Sequence, residues 1–208
     1  MKLIHDLIET IARFPGIGPR QAQRIVFYLI RMPAPERQHL IASVAALGKR
    51  VRTCPLCARS FEPASAPQKT CSICADPKRI KTTICVVEQE TDIDPIEKTG
   101  AFRGIYHVIG HDSDLLAKTT PQAIRKLLER IAFIVRQIPP KKREIMEVIL
   151  ATNATVEGDA LSLYLEKLMR PLSVRITRLG RGLASGAELE YADQQTIKDA
   201  VANRKPLA

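Results

Sequence analysis

The chain has 208 residues, a formal net charge of +10 and a sequence pI of about 9.6. Its 45% hydrophobic and 26% charged residues are typical of a globular protein with one or two cores, which excludes a disordered tail. No apolar run approaches the roughly 20 residues of a membrane helix, and the first residues lack the pattern of a secretion signal, so we expect no membrane partner and a cytoplasmic location.

The basic excess is concentrated in the N-terminal part of the chain. Residues 1–83 have a formal charge balance of +9, whereas residues 84–208 have +1. Such a concentration favours nucleic acid as a partner, because neutralised phosphates release condensed counterions; solubility alone is the alternative explanation. Aromatic residues make up 4% of the chain and Trp is absent, so we expect contacts with the DNA backbone rather than base stacking.

The first thirty residues have the pattern of two helices joined by a tight turn. Apolar residues recur at helical spacing until Pro15 ends the first helix, and Pro19 takes the favoured first position of the second. Two glycines in the turn allow the backbone to approach a ligand, and the first N–H groups of the second helix point outward as anion donors. The pattern resembles the helix-hairpin-helix motif of non-specific DNA-binding proteins, although an ordinary helical hairpin is the alternative. The residues that we predict to bind DNA are Gly16, Gly18, Arg20 and Arg24.

Two cysteine pairs follow, Cys54-x2-Cys57 and Cys71-x2-Cys74. This spacing favours a zinc ribbon, in which four thiolates bind one tetrahedral Zn²⁺ and leave no open position for catalysis. Disulfides are the alternative, which a reducing compartment disfavours. We expect Cys54→Ser to release the metal and unfold residues 54–74 while leaving the following sheet domain largely intact. The fifth cysteine, Cys85, lies in an apolar run and is expected to be a buried strand residue.

From residue 84 onward, apolar strands alternate with helical patterns, which predicts a parallel sheet. The predicted strands are Ile84–Val87, Ile105–Ile109, Met146–Ala151 and Val174–Thr177. The predicted helices are Ile93–Thr99, Gln122–Gln137 and Glu157–Met169. Ligands of parallel sheets gather at the carboxyl ends of the strands, where Glu88 and Asn153 follow the first and third predicted strands.

Residues 149–159 resemble the second half of the Toprim domain shared by topoisomerases, primases and some nucleases. Catalytic members have an Asp-x-Asp pair that binds Mg²⁺ and a general acid-base glutamate, which Glu88 matches. In this chain the two Asp positions are Asn153 and Thr155, whose neutral side chains cannot replace carboxylates as ligands of a hard cation. We therefore predict no catalytic residue and no enzyme. The alternative is a Toprim-type Mg²⁺-dependent nuclease, topoisomerase or primase.

Acidic residues remain around the degenerate Toprim motif. We predict that Glu88, Glu157 and Asp159 bind a partner protein with a basic surface, since charge complementarity guides such contacts. A solvated loop and helix start is the alternative, because acids also favour the N-terminal end of a helix. The other acids of this predicted rim are Glu90, Asp92, Asp94 and Glu97.

Taken in order, the hairpin, the four cysteines and the degenerate Toprim motif resemble the RecR family of bacterial recombination mediators. Further segments that carry the resemblance are 96–100, 106–110, 151–153, Glu157-Gly158 and 188–193. The expected fold class is α+β with several domains. They are a helix-hairpin-helix and following helix (1–53), a zinc ribbon (54–80), a Toprim-like α/β domain with a parallel sheet (81–177) and a C-terminal strand-helix segment for oligomerisation (178–208).

The resemblance implies a non-enzymatic DNA-repair protein. It implies action with RecO, and in some settings RecF, to load RecA onto DNA coated by single-strand-binding protein. It also implies a homotetramer ring joined through the N-terminal and C-terminal regions. A zinc-ribbon adaptor with a protein or RNA partner is a second alternative. The chain departs from the family after Gly110, where it reads His111-Asp112-Ser113-Asp114, and this puts the local loop in doubt.

Overall fold

The computed structural model describes residues 2–64, 67–110, 121–139 and 146–204. The chain divides into two compact units, Met1–Arg52 and Thr53–Ala208. The divergent segment that begins at His111 lies outside the described residues. None of the described helices is long and apolar enough to cross a bilayer.

The first unit consists of three helices, α1 (Lys2–Ala12), α2 (Pro19–Arg31) and α3 (Ala34–Arg50). Its small core contains the buried residues Ile11, Ala22 and Val26, and Ile17 from the turn between α1 and α2 packs against them. Pro19 occupies the first position of α2, as predicted. By contrast, α3 buries none of its residues within the described part of the chain, and its large apolar side chains are exposed.

The second unit begins with a two-stranded sheet and a short helix that bring the cysteines together. These elements are β1 (Arg52–Thr53), β2 (Ser60–Phe61) and α4 (Ser72–Ala75). The larger sheet follows, with strands β3 (Thr83–Val87), β4 (Ile105–Val108), β5 (Glu147–Ala151) and β6 (Arg175–Arg178). The remaining helices are α5 (Ile93–Lys98), α6 (Gln122–Gln137), α7 (Val156–Met169) and α8 (Gln194–Ala202). The predicted strands and helices of the sheet region agree with these bounds to within one residue at each end.

The larger sheet is parallel, with the strand order β4-β3-β5-β6. From β3 the chain passes through α5 to β4, which lies on one side of β3. It then returns through α6 to β5, which lies on the other side of β3. The strand order therefore reverses between β3 and β5, which is the position where open parallel sheets form ligand crevices. Glu88 and Asn153 follow these two strands, so the predicted pair lies at the switch point.

Different layers cover the two faces of the sheet. On one face, strand residues such as Ile84, Val86 and Leu150 form a core with α6 and α7. On the other face, Val87, Tyr106 and their neighbours pack against α5 and against the cysteine segment. The four cysteines thus occupy the place that a second covering helix has in many α/β sheets.

This packing confirms the predicted fold class and changes one expectation. We expected the cysteine segment to unfold in Cys54→Ser without much effect on the sheet. In the structure, Cys54, Cys57, Cys71 and Cys74 belong to the same buried cluster as Val87. Loss of the segment would uncover one face of the sheet, so the two parts share their stability.

Candidate nucleic-acid interface and metal centre

The turn between α1 and α2 has a backbone that exposes hydrogen-bond donors. Gly16 has φ of +75°, a left-handed conformation that glycine adopts without steric cost. Gly18 is the N-cap of α2 and provides no side-chain cap. The structure records no acceptor among the described residues for the backbone N–H groups of Arg20 and Gln21. These donors and the positive end of the helix dipole are suited to an anion.

Basic side chains of the same unit are unpaired beside this turn. Arg20 and Arg24 are exposed on the first turns of α2, and Arg13 is exposed at the end of α1. None of their three side chains has a hydrogen bond or ion pair with a described residue. Their charges are therefore available to phosphate groups, whereas Arg37 donates to the carbonyls of Leu29 and Met32.

The four cysteines of the second unit form a compact donor set. Their Sγ atoms all lie within 4.8 Å of one another, and every one of the cysteines is buried. Cys57 Sγ and Cys71 Sγ are 3.6 Å apart, close to the about 3.8 Å that a tetrahedral site with Zn–S bonds of about 2.3 Å requires. The donor set fits one structural Zn²⁺.

The backbone around the first cysteine pair forms a tight knuckle. The Ala58 N–H donates to Cys54 O at 2.9 Å, and Ala58 has φ of +60°, which is strained for a residue with a Cβ atom. The second pair starts α4, where the Ala75 N–H donates to Cys71 O at 3.0 Å. Both pairs are therefore held by local backbone hydrogen bonds in addition to any metal.

Three further contacts attach the cysteine segment to the edge strand β4 and to the residues that flank β3. The Val108 N–H on the open side of β4 donates to Cys57 O at 2.8 Å. The Ser60 N–H donates to Glu90 Oε1 at 2.8 Å. Lys81 Nζ donates to Cys74 O at 3.0 Å. The hydrogen bond from Val108 also satisfies a backbone N–H of the edge strand β4 that would otherwise be unpaired.

At the switch point, the residues that replace the Toprim aspartates have structural partners. The Asn153 N–H donates to Glu88 Oε1 at 2.6 Å, and Asn153 Nδ2 donates to Glu88 Oε2 at 3.0 Å. Thr155 is the N-cap of α7, and its Oγ1 accepts a hydrogen bond from the Gly158 N–H at 3.1 Å. Asn153 thus presents two donors to Glu88, and neither Asn153 nor Thr155 presents a carboxylate at this edge of the sheet.

A cleft of about 370 Å³ lies beside Glu88. Its walls come from both the cysteine segment and the sheet, and include Ala58, Glu90 and Gly110. Glu88 and Glu90 line it, but both carboxylates already accept the hydrogen bonds described above. These neutral donors leave both carboxylates charged but fix their orientation toward the protein.

Most of the predicted acidic rim is engaged within the unit. Asp159 accepts hydrogen bonds from Arg178 and Arg181, and these guanidinium groups lower its pKa to about 2. The pKa of Glu97 is lowered because Arg79 donates to its carboxylate; the Tyr106 hydroxyl also donates to it, at 2.6 Å. These pairs could not be predicted from the sequence, because the arginines lie about twenty residues from the acids along the chain. By contrast, Glu157 is exposed, and the structure records no side-chain partner for it among the described residues.

Two buried titratable side chains, Cys85 and His107, are in environments that make them unreactive. Burial raises the pKa of Cys85 to about 12, so its thiol is a poor nucleophile, in agreement with the predicted role as a strand residue. Burial lowers the pKa of His107 to about 4. His107 Nε2 lies 3.0 Å from Ala123 O, and no described residue pairs with its Nδ1. The imidazole is therefore neutral at physiological pH.

Family models match three parts of the chain. A model of the Toprim domain matches residues 82–180, a model of the RecR helix-hairpin-helix matches residues 4–47, and a model of the RecR C-terminal region matches residues 182–205. Together they cover the hairpin, the sheet and the C-terminal segment.

Curated relatives match almost the whole chain. A protein of Bifidobacterium adolescentis named "Recombination protein RecR" is 41% identical over 204 residues, which are 97% of this chain and 95% of that protein. Proteins of the same name from Acidothermus cellulolyticus and Moorella thermoacetica are 39% and 38% identical. They are matched over 99% and 98% of this chain and over 97% and 96% of their own lengths.

Proposed function

Because the chain belongs to the RecR family and its role is therefore in recombination and repair, we propose that it is a DNA-binding recombination mediator without catalytic activity. It acts in the cytoplasm with RecO, and with RecF, to help load RecA onto DNA coated by single-strand-binding protein. The observation that carries the DNA-binding part is the exposed turn of the first unit, where free N–H groups adjoin unpaired arginines. The proposed domains are the helix-hairpin-helix region (1–53), the zinc ribbon (54–80), the Toprim-like domain (81–177) and the C-terminal segment (178–208).

DNA binding rests on Gly16, Gly18, Arg20 and Arg24. The glycines let phosphate approach the N–H groups of α2, and the two arginines neutralise neighbouring phosphates. These contacts read the backbone and not the bases, so affinity should depend strongly on salt and weakly on sequence.

A salt titration of DNA binding tests this role. Changing both arginines to Glu should reduce the slope of log K against log salt by about 1.4 for single strands and about 1.8 for duplex DNA per bound chain. Arg31→Glu with Lys49→Glu is the matched control, since it changes the net charge of the same unit equally at residues outside the turn. If the control weakens binding as much as the test variant, net charge and not the turn determines the affinity.

The absence of catalysis is supported by the contacts of Glu88. Its carboxylate accepts two hydrogen bonds from Asn153, and Thr155 caps α7. Neither residue supplies the negative charge that a hard cation needs. Magnesium-dependent change in plasmid topology that Glu88→Gln abolishes would instead establish a Toprim enzyme.

The metal is proposed to be one structural Zn²⁺ bound by Cys54, Cys57, Cys71 and Cys74. The metal would hold the cysteine segment on the sheet rather than present a partner surface, which argues against a zinc-ribbon adaptor. Undetectable DNA binding at low salt by zinc-loaded protein would favour the adaptor. Metal analysis of purified protein should give one zinc per chain.

The partner surface is proposed to include Glu157, Asp159 and Glu88. Glu157 is the exposed member, whereas Asp159 is held by two arginines and Glu88 by Asn153. Glu157→Ala should therefore weaken RecO binding more than Glu129→Ala, a control at another exposed carboxylate of the same unit. Equal binding by both variants would remove Glu157 from the contact.

A homotetramer is supported by the apolar surface of α3. Ile41, Val44 and Leu47 are each about 60% exposed, which is unusual for a cluster of large apolar side chains on one helix. Val44→Glu should reduce the native mass measured by light scattering. An unchanged tetramer would show that α3 lies outside the assembly contacts.

A further inference from the structure

Arg130 connects the two layers that cover opposite faces of the sheet. It belongs to α6, whose neighbouring residues Leu127 and Ile131 are buried in the core of the other face. Its side chain is partly buried at the edge strand β4, where Nη1 donates to Tyr106 O at 2.8 Å. Its Nη2 lies 3.6 Å from Cys74 Sγ, within hydrogen-bonding distance of a sulfur atom. One guanidinium therefore joins α6, β4 and the cysteine cluster.

The charge of the cluster gives this contact a chemical consequence. Four thiolates and one Zn²⁺ have a formal charge of −2, so a bound site gains from a positive group in contact with a sulfur. Arg130 provides such a group, since its guanidinium donates a hydrogen bond directly to Cys74 Sγ. Charge-assisted hydrogen bonds are about twice as strong as neutral ones, and they favour the thiolate that binds the metal.

We propose that Arg130 is a positioning residue of the zinc site, acting through Cys74. It holds this sulfur in the orientation for the metal and offsets part of the negative charge of the cluster. Because its second donor is fixed to the backbone of β4, it also makes zinc retention depend on the position of the edge strand. This inference rests on the proposed Zn²⁺ and goes beyond it, since Arg130 contributes no ligand atom.

Zinc competition with a chromogenic chelator tests the inference. Arg130→Met keeps an unbranched aliphatic stem and removes the charge and both donors. We expect zinc affinity to fall about 10- to 100-fold, the usual range for a lost outer-shell partner. Arg125→Met is the matched control, because Arg125 is an exposed cation on the same helix without a side-chain partner among the described residues. The sulfur-to-metal charge-transfer bands of the Co²⁺-loaded protein should shift in Arg130→Met and not in the control.

Arg130→Lys separates charge from geometry and remains informative if the Met variant does not fold. Lysine keeps the charge but lacks the planar fork that reaches Tyr106 O and Cys74 Sγ together, so its zinc affinity should be intermediate. Zinc affinity and Co²⁺ bands equal to those of Arg125→Met in the folded variants would overturn the inference. Wild-type protein with no zinc bound would instead overturn the proposed metal site itself.

Discussion

Loss of the metal should destabilise the sheet as well as the cysteine segment. The perturbation is Cys54→Ser, which removes one of four ligands from a site that fits structural zinc. Structural zinc contributes about 10–16 kcal/mol to the folding of small zinc domains, comparable with the 5–15 kcal/mol total stability of a typical domain. The segment should therefore lose its order in the variant.

The cost to the sheet follows from what the segment covers. Val87, Tyr106 and Val108 are at most 5% exposed, and they pack in one cluster with the cysteines. Burial of a large apolar side chain contributes about 1.5–3 kcal/mol. The three side chains together contribute about 4.5–9 kcal/mol. Because α5 continues to cover part of this face, we assign about half of this total to the cysteine segment, which gives about 2–4 kcal/mol.

Hydrogen exchange measured by mass spectrometry checks this expectation. Amides of β3 and β4 should exchange faster in Cys54→Ser than in wild-type protein, in addition to those of residues 54–74. Ser72→Ala is the control, since Ser72 is an exposed residue of the same segment and lies outside the four-cysteine donor set. Wild-type protection of β3 and β4 in a zinc-free Cys54→Ser variant would refute the reasoning, because the sheet would then be stable without this cover.

Three further changes test individual contacts. Gly158→Ala should destabilise the protein by about 1–3 kcal/mol in urea denaturation, because the new Cβ would lie 2.2 Å from Asn153 O; an unchanged midpoint would show that α7 shifts without cost. Ala58→Gly should stabilise the zinc-loaded protein by about 1 kcal/mol by relieving its left-handed backbone, and a lower melting temperature would contradict this. The folded pKa of His107 is about 4, below its unfolded value, so its neutral form contributes stability that is present above about pH 6.5 and is lost as the pH falls toward 4. The loss should reach about 3 kcal/mol and be smaller in His107→Leu, as measured by denaturation at several pH values with zinc content monitored.

Short-range patterns predicted most of the elements. Gln122–Gln137 has the bounds expected from its helical periodicity, and the cysteine spacing identified a donor set whose sulfurs lie together. The surface on which this donor set packs could not be read from the sequence, since ligand spacing specifies the knuckles and not their neighbours. Arg130 was missed for a related reason, because it contacts Cys74 from 56 residues further along the chain.

The ion pairs of the acidic rim also could not be predicted from the sequence. From composition alone, every acidic side chain is expected to be free to contact a basic partner. In the structure, Asp159 is neutralised by arginines about twenty residues away along the chain. The basic side chains at the turn of the first unit, Arg20 and Arg24, have no such partners among the described residues. Salt should therefore weaken DNA binding by the first unit more steeply than partner binding by the second, where Glu157 is the free carboxylate of the proposed surface. Equal salt slopes for the two complexes would mean that the arginines bound to Asp159 release it when the partner binds.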